Sequence, residues 1–175
     1  DELRRRIAEP LGLDATDLLD GPPLGTGVAR GYLAPDNPLL PGPDSVDVTD
    51  LDVPYGAGGG IVSTAPDVTR FLHALLSGEL LPARLGAEML STVVSDWDES
   101  DRYGLGIAEI TSVMGQAESP CGPAWGHIGL SVGYTAIALA SEGGNRQVVI
   151  LANSLIQTEE AWHELGRLTW ASYCS

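Results

Sequence analysis

The sequence of 175 residues contains no lysine. All nine of its basic residues are arginines, set against 24 acidic ones, for a formal net charge of −15. A surface this acidic repels phosphate backbones, which argues against nucleic acid as a partner. Hydrophobic residues make up 43%, yet no apolar run is long enough to span a bilayer. The opening stretch DELRRRIAEP is charged and lacks the apolar centre of a signal peptide, so a targeting signal would lie upstream or have been removed. Cysteine is scarce: Cys121 and Cys174 alone. Two cysteines do not make a zinc cage without histidine partners, and His73, His127 and His163 are scattered. Two readings of the pair stay open, buried free thiols or one disulfide formed in an oxidising compartment.

What is present suffices for one domain with a real core. Residues 1–100 read as a helical and loop part, and 101–175 as antiparallel strands with a C-terminal helix. Leu3, Ile7 and Ala8 share a helical face, and Pro10 is expected to stop that first helix. Residues 20–58 are rich in Gly and Pro and predict a long ordered loop with short strands around Val28–Leu33. Thr64 followed by Asp67 reads as a capping-box-like start, with Pro66 in the first turn. Val68, Phe71, Leu72, Leu75 and Leu76 then keep a 3.6-residue period up to Gly78, a natural C′ residue. A second short helix is expected over Ala83–Ser91. Strand-like runs follow: RYGLGIAEI, AWGHIGLS, YTAIALAS and RQVVILANS, the last two joined by EGGN as a hairpin. Thr158 caps a final helix whose apolar face should include Ala161, Trp162, Leu165, Leu168 and Trp170.

One stretch, WGHIGLSVGY, carries two overlapping motifs. Gly129-Leu130-Ser131-Val132-Gly133 has the G-x-S-x-G spacing of a nucleophile elbow, which would make Ser131 the attacking group of an esterase. An elbow needs a helix directly after it, and YTAIALAS is strand-like. Its partners, His163 with Glu159 or Glu160, would have to reach back from the terminal helix. A turn serine between two strands is the simpler reading. The acidic group Asp96, Asp98, Glu99 and Asp101 resembles a metal cluster but reads more simply as a solvated loop, so no metal is expected. Arg4, Arg5 and Arg6 read as a solvated helix face, or one that meets another part of the fold. Tyr103 and Tyr134 flank glycines and read as core or cleft walls.

The second motif is His127-Ile128-Gly129. Taken with PLGL, GAGGGIVSTAPDVTRFLHALLSGELL, YGLGI and VVILANS before a closing helix, in that order, it resembles the C-terminal half of the class C β-lactamase-like serine hydrolases. That family includes secreted D-alanyl-D-alanine carboxypeptidases, class C β-lactamases, related esterases and D-aminopeptidases. The resemblance covers nearly the whole chain. It implies an α+β fold, an antiparallel β-sheet covered by helices, as an incomplete β-lactamase/transpeptidase-like fold.

The resemblance also implies a chemistry. Relatives acylate the serine of S-x-x-K, use the tyrosine of Y-x-N in proton transfer, and line the cleft with [KH]-x-G. Only the third motif is here, because the sequence has no Lys and no Tyr followed two residues later by Asn. By resemblance, His127, Gly129 and Leu130 are the catalytic-strand residues, with the Leu130 N–H as an oxyanion donor, and Ile128, Tyr103 and Ser131 line the substrate. Relatives of the carboxypeptidase type often hold a substrate carboxylate with hydroxyls and a nearby Arg. Here Ile128 and Leu130 are apolar and Ala108, Glu109 and Ile110 follow YGLGI, which favours an apolar ester or amide. The implied partners are the missing N-terminal half of the fold, upstream in cis or as a separate chain, and a small peptide, β-lactam or ester substrate. No cofactor is implied. The Cys121–Cys174 disulfide and a secreted, cell-envelope location are likewise what the resemblance implies. The rival class is a non-catalytic pseudoenzyme or binding module.

Overall fold

The computed structural model describes residues 2–18, 27–51, 56–95 and 102–175. A π-helical turn, Arg4–Ala8, runs directly into the short α1, Glu9–Leu11. Pro10 does not stop this helix. Proline has no N–H to give, and the surrounding backbone is wound wide enough to pass it, with the Glu9 N–H on the Arg4 carbonyl. The terminator is Gly12 in the left-handed conformation. The three arginines are solvated as expected: Arg4 pairs with Asp17, and Arg5 and Arg6 with Glu2.

Short strands punctuate the loop region. β1 (Asp17–Leu18) pairs with β4 (Ile61–Val62), and β2 (Tyr32–Leu33) with β3 (Val46–Asp47), all antiparallel. Val28 lies before the strand rather than in it.

Helix α2, Ala65–Leu76, starts where its cap predicts: the Thr64 hydroxyl accepts from the Asp67 N–H at 3.4 Å. The reciprocal half of a capping box is absent. The Asp67 carboxylate instead accepts from the Ala15 N–H and the Thr16 hydroxyl, at 3.0 and 2.8 Å, and so ties the first segment to the helix. Gly78 follows the C-cap Ser77 with φ +87°. Helix α3 spans Ala83–Met89.

Six strands form one antiparallel sheet, in the order β12-β11-β10-β7-β6-β5. They are β5 (Val93–Val94), β6 (Arg102–Tyr103), β7 (Ala108–Ile110), β10 (Ala124–Ser131), β11 (Tyr134–Ala140) and β12 (Gln147–Ala152). RYGLGIAEI is therefore two strands, not one. Gly104 to Ile107 turn between them, with the Gly104 N–H on the Ile107 carbonyl. A small hairpin, β8 (Ser112–Val113) with β9 (Ala117–Glu118), is inserted between β7 and β10.

Successive residues of β10 point to opposite faces, and each face is covered. Ala124 joins a core with Ile110, Ile137, Leu139, Trp162 and Trp170 beneath α4, Glu159–Tyr173. Trp125 joins a second core with Met89 and Ile107, flanked by Leu75 and Leu76 of α2. Thr158 caps α4 through the Ala161 N–H. Trp170 donates its indole N–H to the Ala117 carbonyl at 2.7 Å, so a buried polar group is satisfied. Leu168, expected on the apolar face, is 53% exposed. Gly166 and Thr169 are buried instead, and at Gly166 α4 runs so close to β9 that a Cβ would fall 2.8 Å from the Ala117 Cβ. Cys121 and Cys174 form a disulfide, joining the segment before β10 to the end of α4. No helix among the described residues is long and apolar enough to cross a membrane.

Candidate active site

The strand β10 is paired unequally on its two sides. Against β11 it is paired from Trp125 to Ser131. Against β7 only Ala124, Trp125 and Gly126 are paired, because β7 begins at Ala108. From His127 onward, among the described residues, the β7 side of the strand has no neighbouring strand. His127, Gly129 and Leu130 are exposed there, while Ile128 is half-buried against the α4 core.

His127 is held at both ring nitrogens. Nε2 lies 3.0 Å from the Tyr103 hydroxyl and Nδ1 lies 2.9 Å from the Ile128 carbonyl oxygen. The rings of Tyr103 and His127 meet edge to face, 5.7 Å apart between centroids and at 85°. Tyr103 thus lies against His127, and β6 and β10 bring the two together across β7. Arg102, the nearest arginine in sequence, is engaged elsewhere: it pairs with Glu109 at 3.7 Å and donates to the Thr92 hydroxyl and carbonyl.

Gly129 is the informative residue. A Cβ built on it meets only the Ala136 Cβ, at 3.8 Å, an ordinary contact. Nor does it adopt a positive φ. Neither packing nor backbone conformation of the described residues asks for glycine at this place. The contrast with Gly126 is sharp, where a Cβ would fall 1.9 Å from the Ala138 carbonyl oxygen.

Ser131 is half-buried and pairs with Tyr134 across the two-residue turn Val132-Gly133. The residues after that turn form β11, not the helix an elbow requires. His163 of α4 has Nδ1 3.0 Å from the Gln116 carbonyl.

The turn at Val132-Gly133 is braced from outside the sheet, a feature sequence reasoning did not anticipate. The Tyr134 hydroxyl donates to the Ala29 carbonyl, the Val48 N–H to the Gly31 carbonyl, and the Gly31 N–H to the Thr49 hydroxyl. Asp47 anchors this loop. The Thr49 hydroxyl and the Arg30 guanidinium, followed by the Thr49 N–H, hold its carboxyl down to about 2. Among the described residues no group of His, Cys, Asp and Glu is placed to hold a metal ion; Asp96, Asp98, Glu99 and Asp101 lie outside those residues.

The Beta-lactamase family model matches residues 1–168. The chain belongs to the beta-lactamase family. Among solved structures it is similar to a D-stereospecific amidohydrolase from a Streptomyces species, with TM-score 0.74 and 26% identity over 94% of this chain and 46% of that one. A D-amino acid amidase from Ochrobactrum anthropi SV3 matches with TM-score 0.69 and 26% identity, over 93% of this chain and 46% of that one. A penicillin binding protein from Bacillus halodurans, at TM-score 0.70 and 20% identity over 95% and 47% of the two chains, shares the fold. This beta-lactamase-family chain therefore spans about half the length of the solved structures it matches.

Proposed function

We propose that this chain supplies the cleft wall of a serine hydrolase that opens an amide bond, or a related ester, through an acyl-enzyme. Gly129 carries the proposal. Nothing among the described residues requires glycine there, so the missing side chain is read as room for a substrate backbone along the open edge of β10. The 26% identity to an amidohydrolase and a D-amino acid amidase favours an amide of a D-configured residue over the carboxypeptidase role. The pairing of Arg102 with Glu109 agrees, since the arginine next to YGLGI in sequence is directed to a carboxylate of this chain.

The nucleophilic serine and its lysine belong, in this reading, to the half of the fold outside these 175 residues, which contain no Lys. The serine oxygen attacks the amide carbon and the carbonyl oxygen becomes an oxyanion. Pairs in an antiparallel ladder alternate, and Ser131 and Tyr134 close the turn, so the Leu130 N–H is directed away from β11 toward the open edge. There it stabilises the oxyanion, a contribution of about 3 kcal/mol for one donor. The amine leaves with a proton, and water then hydrolyses the acyl ester. His127 and Tyr103 form the wall beside the reacting carbonyl, with Ile128 and Ser131 at its margins. The disulfide suits an oxidising compartment, and we place the protein in the cell envelope or outside the cell.

The lack of Lys also suits a pseudoenzyme that keeps the cleft as a binding surface. Hydrolysis of D- and L-amino acid amides by the complete protein separates the two. Turnover that prefers the D-amide and falls at least tenfold in Gly129→Ala supports the hydrolase; binding without turnover supports the pseudoenzyme.

A further inference from the structure

We propose that Tyr103 is a positioning residue that acts through His127, fixing which ring nitrogen carries the proton and where the ring lies. This inference rests on the cleft-wall reading above for its consequence, but not for its geometry.

A carbonyl oxygen only accepts, so the Ile128 carbonyl 2.9 Å from Nδ1 requires the proton on that nitrogen. The neutral ring then presents Nε2 as a lone pair. The Tyr103 hydroxyl, 3.0 Å away, donates into it. Both nitrogens are occupied, and the edge-to-face contact of the two rings restricts rotation about the side-chain bonds.

The two residues differ in how they are held. His127 is exposed on the open edge, where packing alone does not choose its rotamer. Tyr103 is half-buried against the core beneath α4. The exposed ring takes its orientation from the anchored one. Tyr103 pairs with Ala108, which pairs with Gly126, the residue before His127, so three strands in register bring the two residues together. His127 in this state does not serve as a cationic anchor for a substrate carboxylate.

Two measurements on the complete protein test the geometry without any substrate. Imidazole nitrogen NMR of the wild type should show His127 as the Nδ1–H tautomer when neutral; an Nε2–H tautomer overturns the proposal. Ethoxycarbonylation by diethyl pyrocarbonate, followed by peptide mass spectrometry, should modify His127 several-fold faster in Tyr103→Phe, which loses only the hydroxyl. His73 and His163, whose Nδ1 atoms each face a backbone carbonyl at 3.0 Å, are internal controls and should not change. An unchanged His127 rate overturns the proposal, and so does an equal rise at all three histidines. On an amide substrate, Tyr103→Phe should lower kcat about tenfold, equivalent to 1.4 kcal/mol, with KM nearly unchanged. A wild-type kcat in the variant overturns the proposal. A wild-type protein without turnover overturns the hydrolase reading instead and leaves the two chemical readouts to decide this one.

Discussion

Gly133 and Val48 approach so closely that a Cβ on the glycine would fall 2.5 Å from Val48 Cγ2. The same Cβ would fall 3.1 Å from the Tyr32 nitrogen, and Gly133 has φ +82°. The turn that ends β10 is thereby seated in the loop carrying β2 and β3. Gly133→Ala meets both a left-handed backbone and a filled space, and should destabilise the protein by roughly 2–4 kcal/mol. Urea denaturation checks this; a midpoint within error of wild type would mean that the loop does not brace the turn.

Asp47 makes that brace sensitive to acid. Its carboxyl titrates at about 2 in the folded chain instead of 3.8, chiefly through the Thr49 hydroxyl and the Arg30 guanidinium. A lowered folded value contributes stability above the unfolded value and loses it as pH falls through the folded one. The protein should therefore lose stability from about pH 4 down to about pH 2 through this group, more steeply than Asp47→Asn does. The group is solvated, so the difference should shrink in high salt. Thermal melts of both proteins across that range give the comparison; parallel curves would contradict it.

The disulfide closes a loop of 53 positions. Paired replacement Cys121→Ser with Cys174→Ser should cost roughly 4 kcal/mol in the chain-entropy account. Protein denatured without reductant should show no free thiols. Two free thiols per chain would contradict the assignment.

Mutants of β10 separate the two motifs that overlap there. In the complete enzyme His127→Ala should lower kcat/KM by at least tenfold, while Ser131→Ala should leave it within about threefold. Gly129→Ala should match wild type in stability, or exceed it by up to about 1 kcal/mol, while losing activity. The reverse ranking of His127 and Ser131 would restore the elbow reading.

The three long strands β10, β11 and β12 and the two threonine caps were legible because they are written locally. EGGN between two β-branched runs sets the β11–β12 hairpin, and Thr64 and Thr158 sit where their hydroxyls meet exposed helix N–H groups. The place of His127-Ile128-Gly129 on a strand was legible as well. What escaped was decided at a distance. Asp67 reaches from α2 to Thr16, 51 positions away. Gly166 faces inward where β9 comes so close that a Cβ would fall 2.8 Å from the Ala117 Cβ, a contact the helical period of α4 does not contain. The approach of Tyr103 to His127 depends on the register of β6, β7 and β10 together, which neither YGLGI nor GHIGL contains alone. The brace by Gly31, Val48 and Thr49 lay in a segment whose Gly and Pro content predicts a loop but not what the loop touches.

The most direct test of the central claim is to find the acylated atom. The complete protein is incubated with benzylpenicillin or an activated D-amino acid ester, quenched in acid, digested, and the labelled peptide sequenced by mass spectrometry. The account predicts one acyl group per chain, on the serine of an S-x-x-K segment outside these 175 residues, and no turnover by the 175-residue chain alone. An acyl group on Ser131, or turnover by this chain that Ser131→Ala abolishes, would contradict it.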